Sequence, residues 1–139
     1  MRPLCLALAL ALGTAACRSD DGDRIRAEVA FLVSQESEAP AAAERVMRHG
    51  RRALPYLESA LHTTDPRGRK NIILALRRIG DVEAVPLLRH VALFDEAPDV
   101  RLEAEWTLQQ WAAGKDTRAD RAKAALREIE ERRGREATG

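Results

Sequence analysis

The strongest constraint on this chain is that it repeats itself. Pro66-Arg67-Gly68-Arg69 aligns with Pro98-Asp99-Val100-Arg101, which sets Arg69 and Arg101 32 residues apart. Ile72, Leu74, Leu76 and Ile79 then align with Ala104, Trp106, Leu108 and Trp111. A second block repeats as well: Gly50-Arg51-Arg52-Ala53-Leu54-Pro55-Tyr56-Leu57 echoes Gly80-Asp81-Val82-Glu83-Ala84-Val85-Pro86-Leu87-Leu88, with one residue inserted. The shared unit is P-x-x-R, an Ala/Leu-rich stretch, Gly, then A-[LV]-P-x-L and a second apolar stretch. One such unit cannot bury its apolar stripe alone. Stacked units can share a continuous core, and about three are needed for stability.

Within each block the apolar residues return with helical period. Ile25, Val29, Leu32 and Val33 predict a first helix over about 23–37, capped by Asp23. A second helix is expected over about 40–49, with Ala42, Ala43, Val46 and Met47 inward and Gly50 as a left-handed stop. A third, over about 52–62, turns Ala53, Leu54, Leu57, Ala60 and Leu61 inward and tolerates Pro55 in its first turn. Thr64-Asp65-Pro66 reads as a cap and first-turn proline for a fourth helix, which runs to Ile79 and stops at Gly80. A fifth covers about 82–93, with Ala84, Val85, Leu88 and Val91 inward. A sixth covers about 98–113, with Leu102, Ala104, Trp106, Leu108 and Trp111 on its apolar side. A seventh covers about 117–133, with Ala122, Ala125, Leu126 and Ile129 inward, and residues 134–139 are expected to fray. Ala, Leu, Arg and Glu dominate while aromatics make up 4%, which favours helix over sheet.

The repeat resembles the short HEAT-like repeats first described around phycobilisome lyases, over about residues 40–133 and most clearly 50–113. The resemblance implies an all-α fold: a short solenoid of about three helix pairs plus an N-terminal helix, spanning residues 23–133. A closed helical bundle is the alternative. The resemblance also implies a protein-binding surface along same-position helices, here those starting near Pro40, Pro66 and Pro98. The first unit lacks the P-x-x-R arginine, Ala97 stands where Asp65 caps the earlier unit, and the last unit lacks the A-[LV]-P step. Terminal units of solenoids are often atypical, because one face meets water.

Residues 1–16 are read as a signal peptide. Arg2 supplies a positive start, and 4–12 form an uncharged run too short to span a bilayer. Gly13-Thr14-Ala15-Ala16-Cys17 then resembles a bacterial lipoprotein signal, which implies acylation of Cys17 and a polar tether over 17–22. Ordinary cleavage after Ala16 is the alternative. Arg18 directly after the cysteine implies, by the same resemblance, the outer membrane facing the periplasm. Cys5 would leave with the signal, so Cys17 alone could form no intrachain disulfide.

Net charge is +1, and removing Arg2 with residues 1–16 leaves 22 acidic groups facing as many basic ones. That balance gives no general attraction to nucleic acid. Arginines nevertheless cluster: Arg45, Arg48, Arg51 and Arg52 around one turn, and Arg67, Arg69, Lys70, Arg77 and Arg78 on the fourth helix. Arg45, Arg48, Arg52, Arg67, Lys70, Arg77 and Arg78 form the candidate binding surface. The competing expectation pairs these groups with Glu44, Glu58 and Glu83. Arg69 and Arg101 are expected to bond loop carboxylates and carbonyls between repeats.

No nucleophile elbow, Gly-rich phosphate loop or paired-cysteine motif is present, and none of His49, His62 and His90 is followed by Glu. The HEAT-like hydroxylases hold iron with His-Glu pairs, so the resemblance carries over no metal site. The chain is read as a non-catalytic scaffold that needs no cofactor or metal. Its partners would be other proteins, and a bilayer reached through Cys17. The rival reading is an accessory or small-ligand carrier with a groove at Trp106, Trp111 and His90.

Overall fold

The computed structural model describes residues 13–62 and 64–139. They form seven helices: α1 Gly13–Ser34, α2 Ala39–Met47, α3 Leu54–Leu61, α4 Pro66–Ile79, α5 Val85–Phe94, α6 Pro98–Ala112 and α7 Thr117–Thr138. Among the described residues there is no strand.

The repeat units set the helix ends through local chemistry. Asp65 caps α4, its carboxylate accepting from the Gly68 N–H at 2.7 Å, and Pro66 fills the first turn. Gly80 ends the same helix with φ 66°, a left-handed conformation that glycine adopts without steric cost. Gly50 has φ 55° and separates α2 from α3 in the same way. The A-[LV]-P step is a short 3₁₀ turn in both units, Gly50–Ala53 and Val82–Ala84. It leads into α3 and α5 with Pro55 and Pro86 in their first turns.

The helices lie in two layers. α2 packs on α4 and α4 on α6 in the first layer; α1, α3, α5 and α7 make the second. One apolar cluster runs through the stack from Ile25 to Ile129, and Leu32, Leu57, Ile72, Leu76, Leu88 and Leu108 are fully enclosed. This is the α-solenoid that the repeat predicts. Leu76 and Leu108, seven residues beyond Arg69 and Arg101, occupy equivalent enclosed positions.

Polar ties lock neighbouring units. The Arg69 guanidinium is buried and faces the Asp95 carboxylate at 2.8 Å. It also donates to the Thr64 carbonyl at 2.9 Å. Arg101 donates to the Asp95 carbonyl at 2.6 Å, and Asp95 accepts from the Ala97 N–H at 2.9 Å. Both repeat arginines therefore hold inter-helix loops, and where Ala97 has no capping side chain the Val100 N–H donates to the Asp99 carboxylate at 3.0 Å. Asn71, also buried, donates to the carbonyls of Leu32 and Gln35 and so binds α4 to the end of α1. At the other end, Arg118 of α7 donates to the Gly80 carbonyl at 3.0 Å.

Several boundaries differ from the sequence reading. α1 begins at Gly13, so the segment read as a tether is helical; it contains no proline to interrupt the ladder. Cys17 falls within this part of α1, and its side chain lies outside the described residues, as does the apolar run of 4–12. α7 continues through Gly134 to Thr138, where an Arg132–Glu136 pair at 3.0 Å spans one turn. Two inward assignments are corrected. Leu102 is 64% and Trp106 45% exposed. The position matching Trp106 is Leu74, on a helix flanked by α2 and α6. α6 has α4 on one side and no further first-layer helix on the other.

α1 is docked by a side-chain hydrogen bond. His49 Nε2 lies 2.8 Å from the Glu28 carboxylate, and both side chains are mostly covered. Burial pushes the Glu28 carboxyl up, but hydrogen bonds from His49 and Arg24 outweigh it and hold the group below its ordinary value. A carboxyl depressed in the folded state stabilises above its ordinary range, and that stability is lost as pH falls through it. Glu28→Gln should therefore flatten the loss of stability between about pH 5 and pH 3, measured by urea melts across that range. The core itself is tested by truncation. Leu76→Ala and Leu108→Ala should each cost ~2–5 kcal/mol, whereas Arg48→Ala on the surface should cost about half a kcal/mol or less. Wild-type melting of both leucine variants would refute the stacking register.

Candidate functional site

The arginine-rich surface is the outer side of the first layer, and most of its charges are already used. Arg78 pairs with Glu44 and Arg67 with Glu36. Arg77 lies 2.8 Å from Glu103, with its guanidinium stacked 4.6 Å from the centre of the Trp106 ring. Lys70 meets Asp99 at 2.8 Å and holds that carboxyl below its usual range. Arg52 pairs with Asp21, and Arg45 stacks on Phe31 at 4.7 Å. These contacts join successive helices, α2 to α4 and α4 to α6, so the basic residues act as cross-ties. Arg48 is exposed and outside this network. Of the acidic partners expected from sequence, Glu44 pairs with Arg78. Glu83 lies 3.8 Å from Arg51, which bonds mainly to Asp81 at 3.0 Å. That Arg51 bond, with the Glu83 N–H, holds the Asp81 carboxyl below its ordinary value.

The second layer is open instead. α3 leans chiefly on α1 and α4, and α5 on α6 and α7, so a groove remains between α3 and α5. It comprises cavities of about 430 and 300 Å³ that share His62, Leu87 and His90. Leu54, Glu58, Glu83, Pro86 and Arg89 also line the first, where Arg89 is paired with Glu128; Leu61, Arg69, Val91, Phe94, Asp95 and Glu96 line the second. Smaller cavities lie between α1 and α3, beside Val29 and Tyr56, and between α5 and α7, beside Pro86 and Ala125. The second layer thus carries a row of grooves, one at each gap between helices.

The two outer grooves are marked by basic groups. Arg26 stacks 5.7 Å from the Tyr56 ring, and Arg89 pairs with Glu128. The middle groove is acidic over an apolar floor. Its Arg69 is already paired with Asp95, which leaves Glu96 as excess charge at one end. At the other end Asp81 and Glu83 share Arg51, beside Glu58. His90 and Phe94 sit one turn apart with ring centres 4.9 Å apart.

The proposed meeting of Trp106, Trp111 and His90 is corrected. His90 faces the α3–α5 groove, and neither tryptophan is among that groove's lining residues. Trp111 is buried beneath Arg118, with the guanidinium 5.2 Å from its ring, while Trp106 stands on the first-layer surface. The sequence reading also missed the Glu28–His49 pair and the groove itself. The groove follows from the way α3 and α5 lean on different neighbours, and no spacing in the chain encodes that.

Among the described residues no group of three or more His, Cys, Asp or Glu is placed to hold a metal ion. None of their helices is long and apolar enough to cross a membrane. Two layers of stacked helix pairs with repeat arginines at the loops define an α-solenoid of the HEAT class. The HEAT repeats family matches residues 34–109, more than half of the chain, and the protein belongs to that family. HEAT repeats generally serve as protein-interaction scaffolds. No curated protein and no solved structure matched the chain.

The two tryptophans give a direct check on the corrected register. With Trp106 about nine times as exposed as the 5% of Trp111, acrylamide should quench Trp111→Phe, which keeps Trp106, far more strongly than Trp106→Phe. Arg77→Ala should increase quenching of Trp106 further by uncovering its ring face. Equal quenching of the two single-tryptophan variants would contradict the exposed placement of Trp106.

Proposed function

We propose that this chain is a non-catalytic scaffold that binds another protein across the second layer, at the cell envelope of a bacterium. The observation that carries the reading is the row of grooves on one layer, set against a first layer closed by ion pairs. The charges of the first layer are engaged with one another, as in Arg78–Glu44 and Arg77–Glu103, and recruiting them to a partner costs part of that pairing. The α3–α5 groove offers apolar surface and excess carboxylates without that cost.

The tether completes the proposal. The signal-like residues 1–16 and Cys17 support anchoring through an acylated N-terminus, at the outer membrane and facing the periplasm. One acyl group gives only marginal membrane binding, and two or three hold firmly. A tether of this kind raises the effective concentration of the scaffold near membrane-associated partners.

Two measurements on membranes from the native cell test the reading. Intact-mass analysis should find a diacyl or triacyl group on Cys17, and Cys17→Ser should release the protein or leave its signal uncleaved. A photo-crosslinker at position 90 should trap a discrete protein partner. An unmodified soluble protein in the first measurement removes the anchor. The absence of any crosslinked protein, from position 90 or from the first layer, removes the scaffold reading.

A further inference from the structure

We infer that the α3–α5 groove receives an extended protein segment in which one apolar side chain is flanked on both sides by basic ones. This inference rests on the scaffold reading and names the chemistry of its partner. The floor at the centre is Leu87, shared by both cavities, with His62 and His90 beside it. Leu87 is half-buried and packs against the core, so an apolar side chain placed on it extends an existing apolar surface.

Charge sets the flanks. Glu58 is exposed at the first cavity, next to Glu83, whose nearest guanidinium is committed to Asp81. Glu96 closes the second cavity and is 84% exposed; the Arg69 beside it is shared between Asp95 at 2.8 Å and Glu96 at 3.3 Å, one guanidinium for two carboxylates. Each end therefore presents carboxylate charge that the fold leaves incompletely neutralised. A cation arriving there meets two carboxylates for each guanidinium, Asp95 and Glu96 at Arg69, Asp81 and Glu83 at Arg51. An acidic segment would meet like charge at both ends, and a purely polar cation would leave Leu87 uncovered. The cavities are open, each bounded by helices α3 and α5. They take side chains from a segment lying across them rather than enclosing a small molecule.

The flanking grooves fit the same occupant. Arg26, paired with Asp23, marks one outer gap; Arg89 stands between the middle groove and the other outer gap and is balanced by Glu128. The acidic middle groove is therefore where a basic segment would settle, and its register on the layer is fixed by that contrast.

The test uses the full chain in non-ionic detergent and fluorescein-labelled nonapeptides. The first peptide carries Leu at its centre with Arg two positions to either side, in a Gly/Ser background. Fluorescence anisotropy should show saturable binding that weakens with added salt. Glu58→Lys combined with Glu96→Lys changes only exposed residues and should reduce affinity about tenfold or more. Leu87→Asp should act similarly, while Arg48→Glu on the opposite layer should leave affinity unchanged. A peptide with Glu in place of Arg, and one with Ser in place of Leu, should bind far more weakly. Equal binding of the Glu peptide, full affinity of the double variant, or no saturation at millimolar peptide overturns the inference.

A cellular arm separates this failure from failure of the scaffold reading. If the double Lys variant still crosslinks its cellular partner as well as the wild type, the scaffold stands and the groove chemistry is wrong. If no partner is crosslinked from position 90 or position 48, the scaffold reading fails with it.

Discussion

The fold turns on the buried contact between Arg69 and Asp95. Removing one partner from such a pair leaves an uncompensated buried charge, a loss of about 3–5 kcal/mol. The pair stands where α4 meets the loop between α5 and α6, and its geometry joins two repeat units in one contact. Arg69 also holds the Thr64 carbonyl behind it, while Arg101 holds the Asp95 carbonyl from the other side. Two successive inter-helix loops are thereby held by two guanidinium groups. Arginine suits this role because its planar fork serves a carboxylate and a carbonyl at once and stays charged at any ordinary pH. Arg101 has no following loop of the same kind to reach, because α7 runs on as one helix. The network ends there, as the repeat does.

Much of this was legible in the chain because it is local. A proline after Asp65, a glycine at position 80 and an apolar period of 3.6 each act within one or two turns, and the structure puts caps and stops where they fall. The repeat extended that reach, since two copies of P-x-x-R imply one job, and Arg69 and Arg101 share it. What stayed hidden depends on which surfaces meet. Trp106 matches Leu74, which is partly buried in the preceding unit, but its ring lies at the surface against Arg77 of α4. Periodicity cannot tell a last repeat from a middle one. Glu28 and His49 are 21 residues apart and meet only once α1 has docked.

The arginines carry a related lesson about charge. Seven basic residues on one face look like an anion-binding surface when counted along the chain. In the fold they interleave with Glu36, Glu44, Asp99 and Glu103, each contributed by a neighbouring segment. Exposed pairs of this kind are individually weak, about 0–1 kcal/mol each. Their number and their inter-helix geometry make them selective for the native stacking order. The cavities lie on the opposite side, in gaps that no residue pattern announces.

The two walls of the α3–α5 groove hang from opposite halves of the molecule. α3 is braced by α1 and α4, α5 by α6 and α7, and the packing of α4 on α6 is the spine that joins the two halves. The cross-ties Arg78–Glu44 and Arg77–Glu103 lie on the far side of that spine. A small bend of the stack where α4 packs on α6 would therefore change the width of the groove. In such an arrangement the aperture of the groove and the curvature of the stack are one mechanical coordinate.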